Sequence, residues 1–107
     1  MSTFATVQLR GHLTALALES ALSAVDASAQ ALLVDALEMT DYDAEARSAF
    51  VAWNERVRDR IQRVAIVTDK PIWRMVISAM GVASRQKMRA FGSTREAREW
   101  LTGGVTP

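Results

Sequence analysis

The sequence predicts an α/β fold in which four helices cover a mostly parallel four-stranded sheet, with one edge strand that can run antiparallel. Two observations lead to this prediction. Short apolar runs with strand character alternate with amphipathic segments along the 107 residues. The connections between them are short, which favours crossovers between parallel strands. A chain of this length forms a single domain, 1–107, in which we expect 104–107 to be a frayed tail.

The first half of the chain supplies two strands and two helices. Residues 5–9 alternate between apolar and polar and predict a strand that Gly11 ends. Apolar residues recur at helical spacing across 14–27. The run 31–37 is apolar without alternation, as in a strand covered on both faces. Between Ala46 and Ile61 the apolar residues fall at steps of three and four, which predicts a long amphipathic helix.

The third strand and helix follow directly. The β-branched run 64–67 predicts a buried strand. Pro71 suits the first turn of a helix, because its missing N–H needs no partner there. We expect Asp69 to cap this helix and Gly81 to end it.

The last strand and helix complete the alternation. Residues 88–91 are a weak strand. Ser93 and Glu96 have the spacing of a capping box, in which the hydroxyl and the carboxylate satisfy orphan N–H groups of the helix start. The fourth helix should end at 103–104, where two glycines follow each other.

Composition excludes several classes of function. Thirteen Lys and Arg residues balance twelve Asp and Glu residues, and the net charge of +1 gives no reason to expect nucleic acid as a partner. The absence of cysteine excludes disulfides, zinc fingers and thiol catalysis. With His12 as the only histidine, no nucleophile, base and orienting group can be assembled. We expect no enzyme, no metal and no cofactor.

The first ten residues lack the basic start and apolar run of a signal peptide. No apolar run approaches the roughly 18 residues of a membrane helix. We therefore expect a cytoplasmic protein without membrane insertion.

The stretch from the second strand to the second helix is the most informative part of the chain. Strand ends that lead into helix starts are where α/β proteins usually place their function. Here the stretch contains Asp41, Asp43 and Glu45, without a nucleophile or a glycine cradle. Acids at a helix N-terminus either cap the helix and complement its dipole, which is the commoner role, or hold a hard cation.

Three other features have a plain and a functional interpretation. His12 titrates near neutrality but has no serine or second ligand beside it in the sequence. The arginines between Arg56 and Arg63 form either a solvated helix face, which the balanced charge favours, or a nucleic-acid patch. Trp73 lies one position off the core stripe of its helix, so it either packs in the core or anchors a partner.

Five stretches together resemble the bacterial STAS domain, the fold of anti-sigma factor antagonists. They are Val7-Gln8-Leu9-Arg10-Gly11-His12-Leu13, Leu33-Val34-Asp35, the Thr40 to Glu45 junction, Val64-Ala65-Ile66-Val67 and Ile77-Ser78-Ala79-Met80-Gly81-Val82. The resemblance covers nearly the whole chain. Phe91, Trp73 and the capped last helix look most like the small stand-alone STAS-like proteins, a group related in fold to lipid-carrying domains. The resemblance implies a non-enzymatic binding protein.

STAS proteins that switch partners carry a phosphoacceptor hydroxyl at the start of the second helix, and the kinase that phosphorylates it is also a binding partner. Aligned from Asp35, Asp43 takes the place of the family's aspartate, Ala44 that of its first hydroxyl and Glu45 that of the phosphoacceptor. Neither Ala44 nor Glu45 can form a stable phosphoester. Glu45 resembles, in charge only, a permanently phosphorylated residue.

Two functions of different class follow. The first is a protein-interaction module in a bacterial regulatory assembly, whose kinase-like or sigma-regulator partner binds Thr40, Asp41, Tyr42, Asp43, Ala44, Glu45 and Arg47. The alternative is a carrier or sensor of a small apolar, lipid-like ligand in a pocket under the second and third helices, lined by Trp53, Trp73, Met75 and Met80. Hydroxyls that could still accept phosphate are those of Thr40, Ser48 and Thr68. A homodimer could form through an edge strand or the second helix.

Overall fold

Strands and helices alternate throughout the computed structural model, which describes residues 4–103. The elements are β1 (Phe4–Leu13), α1 (Ala15–Ser23), β2 (Ala31–Tyr42), α2 (Ala44–Val57), β3 (Arg63–Val67), α3 (Pro71–Ser84), β4 (Met88–Phe91) and α4 (Thr94–Leu101). The strand order is β1-β2-β3-β4 and all three strand pairs are parallel, edges included. The predicted α/β fold is confirmed. The tail expected at 104–107 lies outside the described residues.

The two faces of the sheet are covered unequally. Alternate residues of the central strands point to opposite faces, so Leu32 and Val64 belong to one core, and Leu33 and Ala65 to the other. The larger core lies under α1, α2 and α3, whereas the smaller one is closed by α4. Both central strands are therefore buried on both faces, as their continuous apolar sequences predicted.

β2 is much longer than the predicted strand over 31–37. Up to Asp35 it pairs with both neighbours, and beyond Asp35 it continues with β1 alone as a two-stranded ribbon. The pairing register shifts between Asp35 and Glu38, and again between Met39 and Asp41. Gly11, which we expected to end β1, lies inside it at the second shift with a φ of +62°. Each shift moves the inward-facing positions by one residue, so the ribbon has no simple alternation in sequence.

The two helices of the first half are shorter than their apolar spacing indicated. α1 ends at Ser23 instead of near residue 27. α2 ends at Val57, and Ile61 is fully buried from the loop that follows. The apolar periodicity correctly identified residues of the core. The predicted helices were too long because loop residues next to them, such as Ile61, also pack in the core.

The expected ends of α3 were wrong at both sides. The N-cap residue is Lys70, and Asp69 instead forms an exposed ion pair with it, Oδ1 to Nζ 3.7 Å. The helix passes through Gly81 and ends where Arg85 adopts a left-handed φ of +58°. Gly81 is needed for packing, because a Cβ there would lie 3.2 Å from the Cβ of Met88 on β4.

The start of α4 confirms half of the predicted capping box. The Ser93 hydroxyl oxygen accepts a hydrogen bond from the Glu96 N–H at 3.3 Å. The carboxylate of Glu96 does not return to the backbone but accepts from the same hydroxyl at 3.1 Å.

A buried polar contact joins α2 to the loop between α3 and β4. Asn54 is fully buried, and its side-chain N–H donates to the Phe50 carbonyl at 2.9 Å. Its Oδ1 accepts from the Gln86 side chain at 3.4 Å, and Gln86 is itself buried. Because both amides are removed from water, the Asn54 oxygen and the Gln86 side-chain N–H depend on each other for a partner.

Replacing Asn54 with alanine should lower the free energy of unfolding by about 2 kcal/mol, because a cavity forms and the buried amide of Gln86 loses its acceptor. Urea denaturation measures the change. Gln62→Ala, at an exposed glutamine, is the matched control and should change stability by less than about 0.5 kcal/mol. An Asn54→Ala effect as small as that of the control would contradict the role of this contact.

Candidate functional site

The end of the β1–β2 ribbon meets the first turn of α2 at the carboxyl edge of the sheet. We call residues Thr40 to Arg47 the junction surface. Within it Ala46 is buried, Tyr42 and Asp43 are half-buried, and the remaining residues are exposed. The chain turns at Asp43, whose extended backbone makes it the N-cap residue of α2 and whose carbonyl accepts from the Ala46 N–H at 3.0 Å. The predicted partner-binding residues thus form one continuous surface segment.

His12 of β1 joins two aspartates of the junction surface. Its Nε2 lies 2.7 Å from Oδ1 of Asp43, and its Nδ1 lies 3.5 Å from Oδ2 of Asp41. The second register shift brings His12 opposite Asp41. One of the acids expected to cap α2 is thus its N-cap residue, but the Asp43 carboxylate makes no hydrogen bond to the N–H groups of the helix and is bonded to His12 instead.

The pKa of His12 is raised above its ordinary value of 6.5. The largest cause is the hydrogen bond that the His12 ring donates to the Asp43 carboxylate, to which the negative charges of Asp43 and Asp41 add, while partial loss of hydration opposes them. The histidine cation partly neutralises the two aspartates, so the charge of the junction surface becomes more negative as pH rises through this pKa.

Trp73 lies beside the junction surface. Its ring meets that of Tyr42 edge to face, with centroids 5.6 Å apart and an interplanar angle of 68°. The ammonium of Lys70 lies 4.8 Å from the centroid of the Trp73 ring. Trp73 remains half-buried, so it both packs against the core and contributes to the surface next to Tyr42.

An apolar cavity lies between the sheet and helices α2 and α3. It has a volume of about 70 Å³, and its wall includes Leu13, Met39, Phe50, Ile77, Trp73 and Met80. Tyr42 and Arg47 of the junction surface also line it. Of the four residues predicted for such a pocket, Trp73 and Met80 line the cavity.

Trp53 and Met75 are not part of that wall. Trp53 is buried and stacks on Phe50, with ring centroids 6.4 Å apart. Met75 is 74% exposed, because its position on α3 is nearly opposite that of the buried Ile77. The periodic pattern of α3 contains apolar residues on both sides, so it did not distinguish inward from outward positions.

Two arginines of the basic cluster join distant parts of the chain, Arg60 between two loops and Arg63 between β3 and α4. The Arg60 guanidinium donates to the carbonyls of Asp26 and Ala27. The Arg63 guanidinium donates to the carbonyl of Trp100 and lies over its ring, 5.3 Å from the centroid. These contacts join residues more than thirty positions apart, so the sequence contained no local signal for them.

The remaining candidate groups differ in exposure. Thr68 is fully buried and accepts a hydrogen bond from the Lys70 N–H, which removes it from the accessible hydroxyls, whereas Thr40 and Ser48 are exposed. Among residues 4–103, no group of three or more His, Asp or Glu side chains has the arrangement of a metal site. No helix in the same range is long and apolar enough to cross a membrane.

The fold and the extent of the sequence match identify the family. A family model described as SpoIIAA-like matches residues 4–102. The chain belongs to the SpoIIAA-like family. The resemblance to the STAS domain and its anti-sigma factor antagonists is thereby confirmed. No curated protein matches the chain significantly.

A solved structure supports the same fold. The crystal structure of an uncharacterized protein of the DUF3478 family from Shewanella loihica PV-4, described as having a SpoIIAA-like fold, is similar to this chain with a TM-score of 0.67. The two share 19% sequence identity over 90% of this chain and 82% of the other. At this identity the comparison supports the fold alone.

An NMR titration should give His12 a pKa above 6.5, and Asp43→Asn should lower it, because a neutral amide oxygen replaces the charged acceptor of the main hydrogen bond. Because the pKa is higher in the folded protein than in the unfolded chain, the ion pair stabilises the fold below the unfolded pKa. That contribution is lost as pH rises through the folded pKa. Asp69→Asn, at an exposed aspartate bonded elsewhere, is the control and should leave the titration unchanged. A His12 pKa insensitive to Asp43→Asn would contradict the proposed pair.

Proposed function

We propose that the chain is a cytoplasmic, non-enzymatic protein-interaction module of a bacterial regulatory assembly, which binds its partner through the junction surface. The SpoIIAA-like fold suggests a regulatory module of this kind. The observation that supports this surface most is the convergence of Asp41, Asp43 and Glu45 at one exposed edge of the sheet, with His12 between two of them.

Glu45 gives this surface its proposed mode of regulation. It is exposed in the first turn of α2, where the positive end of the helix dipole stabilises its negative charge. Ala44 beside it has no side-chain oxygen. By the family resemblance these are the positions of the switching hydroxyls, so residue 45 is negatively charged without phosphorylation and the surface needs no kinase to acquire that charge. We infer a partner with basic groups that pair with these carboxylates.

Reversing charge at the junction surface should weaken partner binding by about tenfold or more, because each paired carboxylate would become a like charge. The test uses purified candidate partners encoded beside this chain and Asp43→Lys/Glu45→Lys, with affinity measured by calorimetry. Glu19→Lys, at an exposed acid on α1, is the matched control and should bind as the wild type does. Equal affinity of the reversed variant and the control would refute this binding surface.

The variant Glu45→Ser tests whether the negative charge at residue 45 is permanent in the wild type or can be supplied by phosphorylation. If a partner is a kinase, this variant should bind weakly, accept phosphate at residue 45 and then recover affinity. The wild type should show no phosphorylation at 44 or 45 in phosphopeptide mapping. Phosphate on Thr40 or Ser48 that alters binding would instead mean that the assembly is switched at another hydroxyl.

The apolar cavity favours a second candidate function, a carrier or sensor of a small apolar ligand. A volume of about 70 Å³ is well below the roughly 300 Å³ at which drug-sized pockets begin. A ligand must therefore be small, or α2 and α3 must separate to admit a lipid chain. Arg47 at the wall would then lie close to any polar end of the ligand.

If the protein carries such a ligand, native mass spectrometry of freshly purified material should show a bound small molecule, and adding an apolar ligand should raise the melting temperature. Met80→Phe should abolish the shift by filling the cavity. Met75→Phe, on the same helix but outside the cavity, is the matched control. No bound molecule, together with no shift for any apolar ligand tried, would exclude this candidate.

A further inference from the structure

The outward face of α3 is apolar and uncovered. Ile72, Met75 and Val82 are 70%, 74% and 81% exposed, and Ala79 is exposed between them. With spacings of three, four and three residues, these four side chains lie along one side of the helix. We call them the α3 stripe. A helix that is apolar on both its core side and its outer side is normally buried, so the stripe has the character of a binding surface.

Basic residues and no acidic ones accompany the α3 stripe along the chain, although Arg89 lies over Phe91 on the α4 side of the sheet. The segment from Lys70 to Phe91 contains five basic residues and no acidic ones, namely Lys70, Arg74, Arg85, Lys87 and Arg89. Within residues 4–103 the observed ion pairs involve only the first of these, which pairs with Asp69. Arg74 is exposed on α3 itself, and Arg85, whose left-handed backbone ends the helix, adds a second exposed cation at its C-terminal end. The surface therefore combines an apolar stripe with a basic flank.

We propose that the α3 stripe is a second protein-binding surface, whose partner presents an amphipathic helix with an apolar face and a flank of Asp and Glu. The stripe extends over about 15 Å from Ile72 to Val82, which is the length of about three turns of a partner helix. Met75 at its centre is the adaptable kind of side chain that such surfaces use. Arg74 and Arg85 supply the complementary charge.

Two other occupants fit the surface less well. Helices that lie on bilayers rely on Trp, Phe or Leu in their apolar face, whereas the stripe has none of these and Trp73 packs against Tyr42 instead. A second copy bound α3 against α3 in an antiparallel pair would bring the flank of Arg74 and Arg85 against its own equivalent. That arrangement places like charges together.

The proposal can be tested with a designed helical peptide of about 18 residues, long enough to be helical, with a leucine stripe flanked by glutamates. We expect saturable binding in fluorescence anisotropy and NMR shifts centred on Ile72, Met75 and Val82. Met75→Glu should weaken binding by about tenfold or more, because it places an unpaired charge in an apolar contact. Val82→Glu is a second variant of the same kind. Both positions are exposed, so the fold should be retained, which thermal melting checks.

Two controls distinguish specific binding at the α3 stripe from non-specific hydrophobic or electrostatic binding. Leu16→Glu changes a leucine that is 78% exposed on α1, and it should leave peptide binding unchanged. A peptide in which lysines replace the glutamates should bind at least about tenfold more weakly, because like charges would meet at Arg74 and Arg85. Equal effects of Leu16→Glu and Met75→Glu, or equal binding of the two peptides, would overturn the proposal.

Two further measurements address the other occupants. Cosedimentation with vesicles of phosphatidylcholine and phosphatidylglycerol tests a bilayer, and sedimentation velocity tests a second copy. Failure of the acidic peptide to bind, with either vesicle binding or self-association that Met75→Glu abolishes, would overturn the proposal and assign the stripe to that occupant. Asp43→Lys/Glu45→Lys should leave peptide binding unchanged, so this surface and the junction surface can fail independently.

Discussion

The strand order β1-β2-β3-β4 is the constraint on which the rest of the structure depends. Each crossover joins neighbouring parallel strands in the same direction, and right-handed crossovers then place every connecting helix on one face. Only α4, which follows the last strand, can cover the other face. The residues that it buries, Ala97 and Leu101, therefore close a core to which α1, α2 and α3 contribute nothing.

The same strand order determines where this fold can bind. Without a reversal of order there is no crevice between diverging strands, which is the usual ligand site of α/β proteins. In the part of the chain that the structure describes, an apolar space for a ligand lies instead in the small cavity under α2 and α3. The other accessible feature arises because β1 and β2 extend beyond β3 after Asp35. The two-stranded ribbon that they form contains the first residues of the junction surface and leads into the start of α2.

Sequence patterns predicted the elements that short periodic runs encode, and they missed the features that depend on contacts between distant residues. Strands β3 and β4 and the start of α4 follow from short periodic runs with clear turn residues. The extension of β2 was missed because two register shifts remove its alternation, and the end of α3 was missed because Gly81 serves packing against β4. Acids at the junction were visible in the sequence, whereas the bond from His12 to Asp43 joins residues 31 positions apart.

The balanced net charge conceals a strongly polarised molecule. Residues 1–54 contain two basic and seven acidic residues, whereas residues 55–107 contain eleven and five. The first part forms β1, α1, β2 and most of α2, and the second forms the end of α2, β3, α3, β4 and α4, so the strand order separates the charges in space. Charges more than about 10 Å apart are largely screened from each other at moderate ionic strength. A partner therefore experiences the electrostatic field of the side of the protein that it approaches. A total of +1 thus describes neither the acidic junction surface nor the basic flank of α3, and each can select a partner of opposite charge.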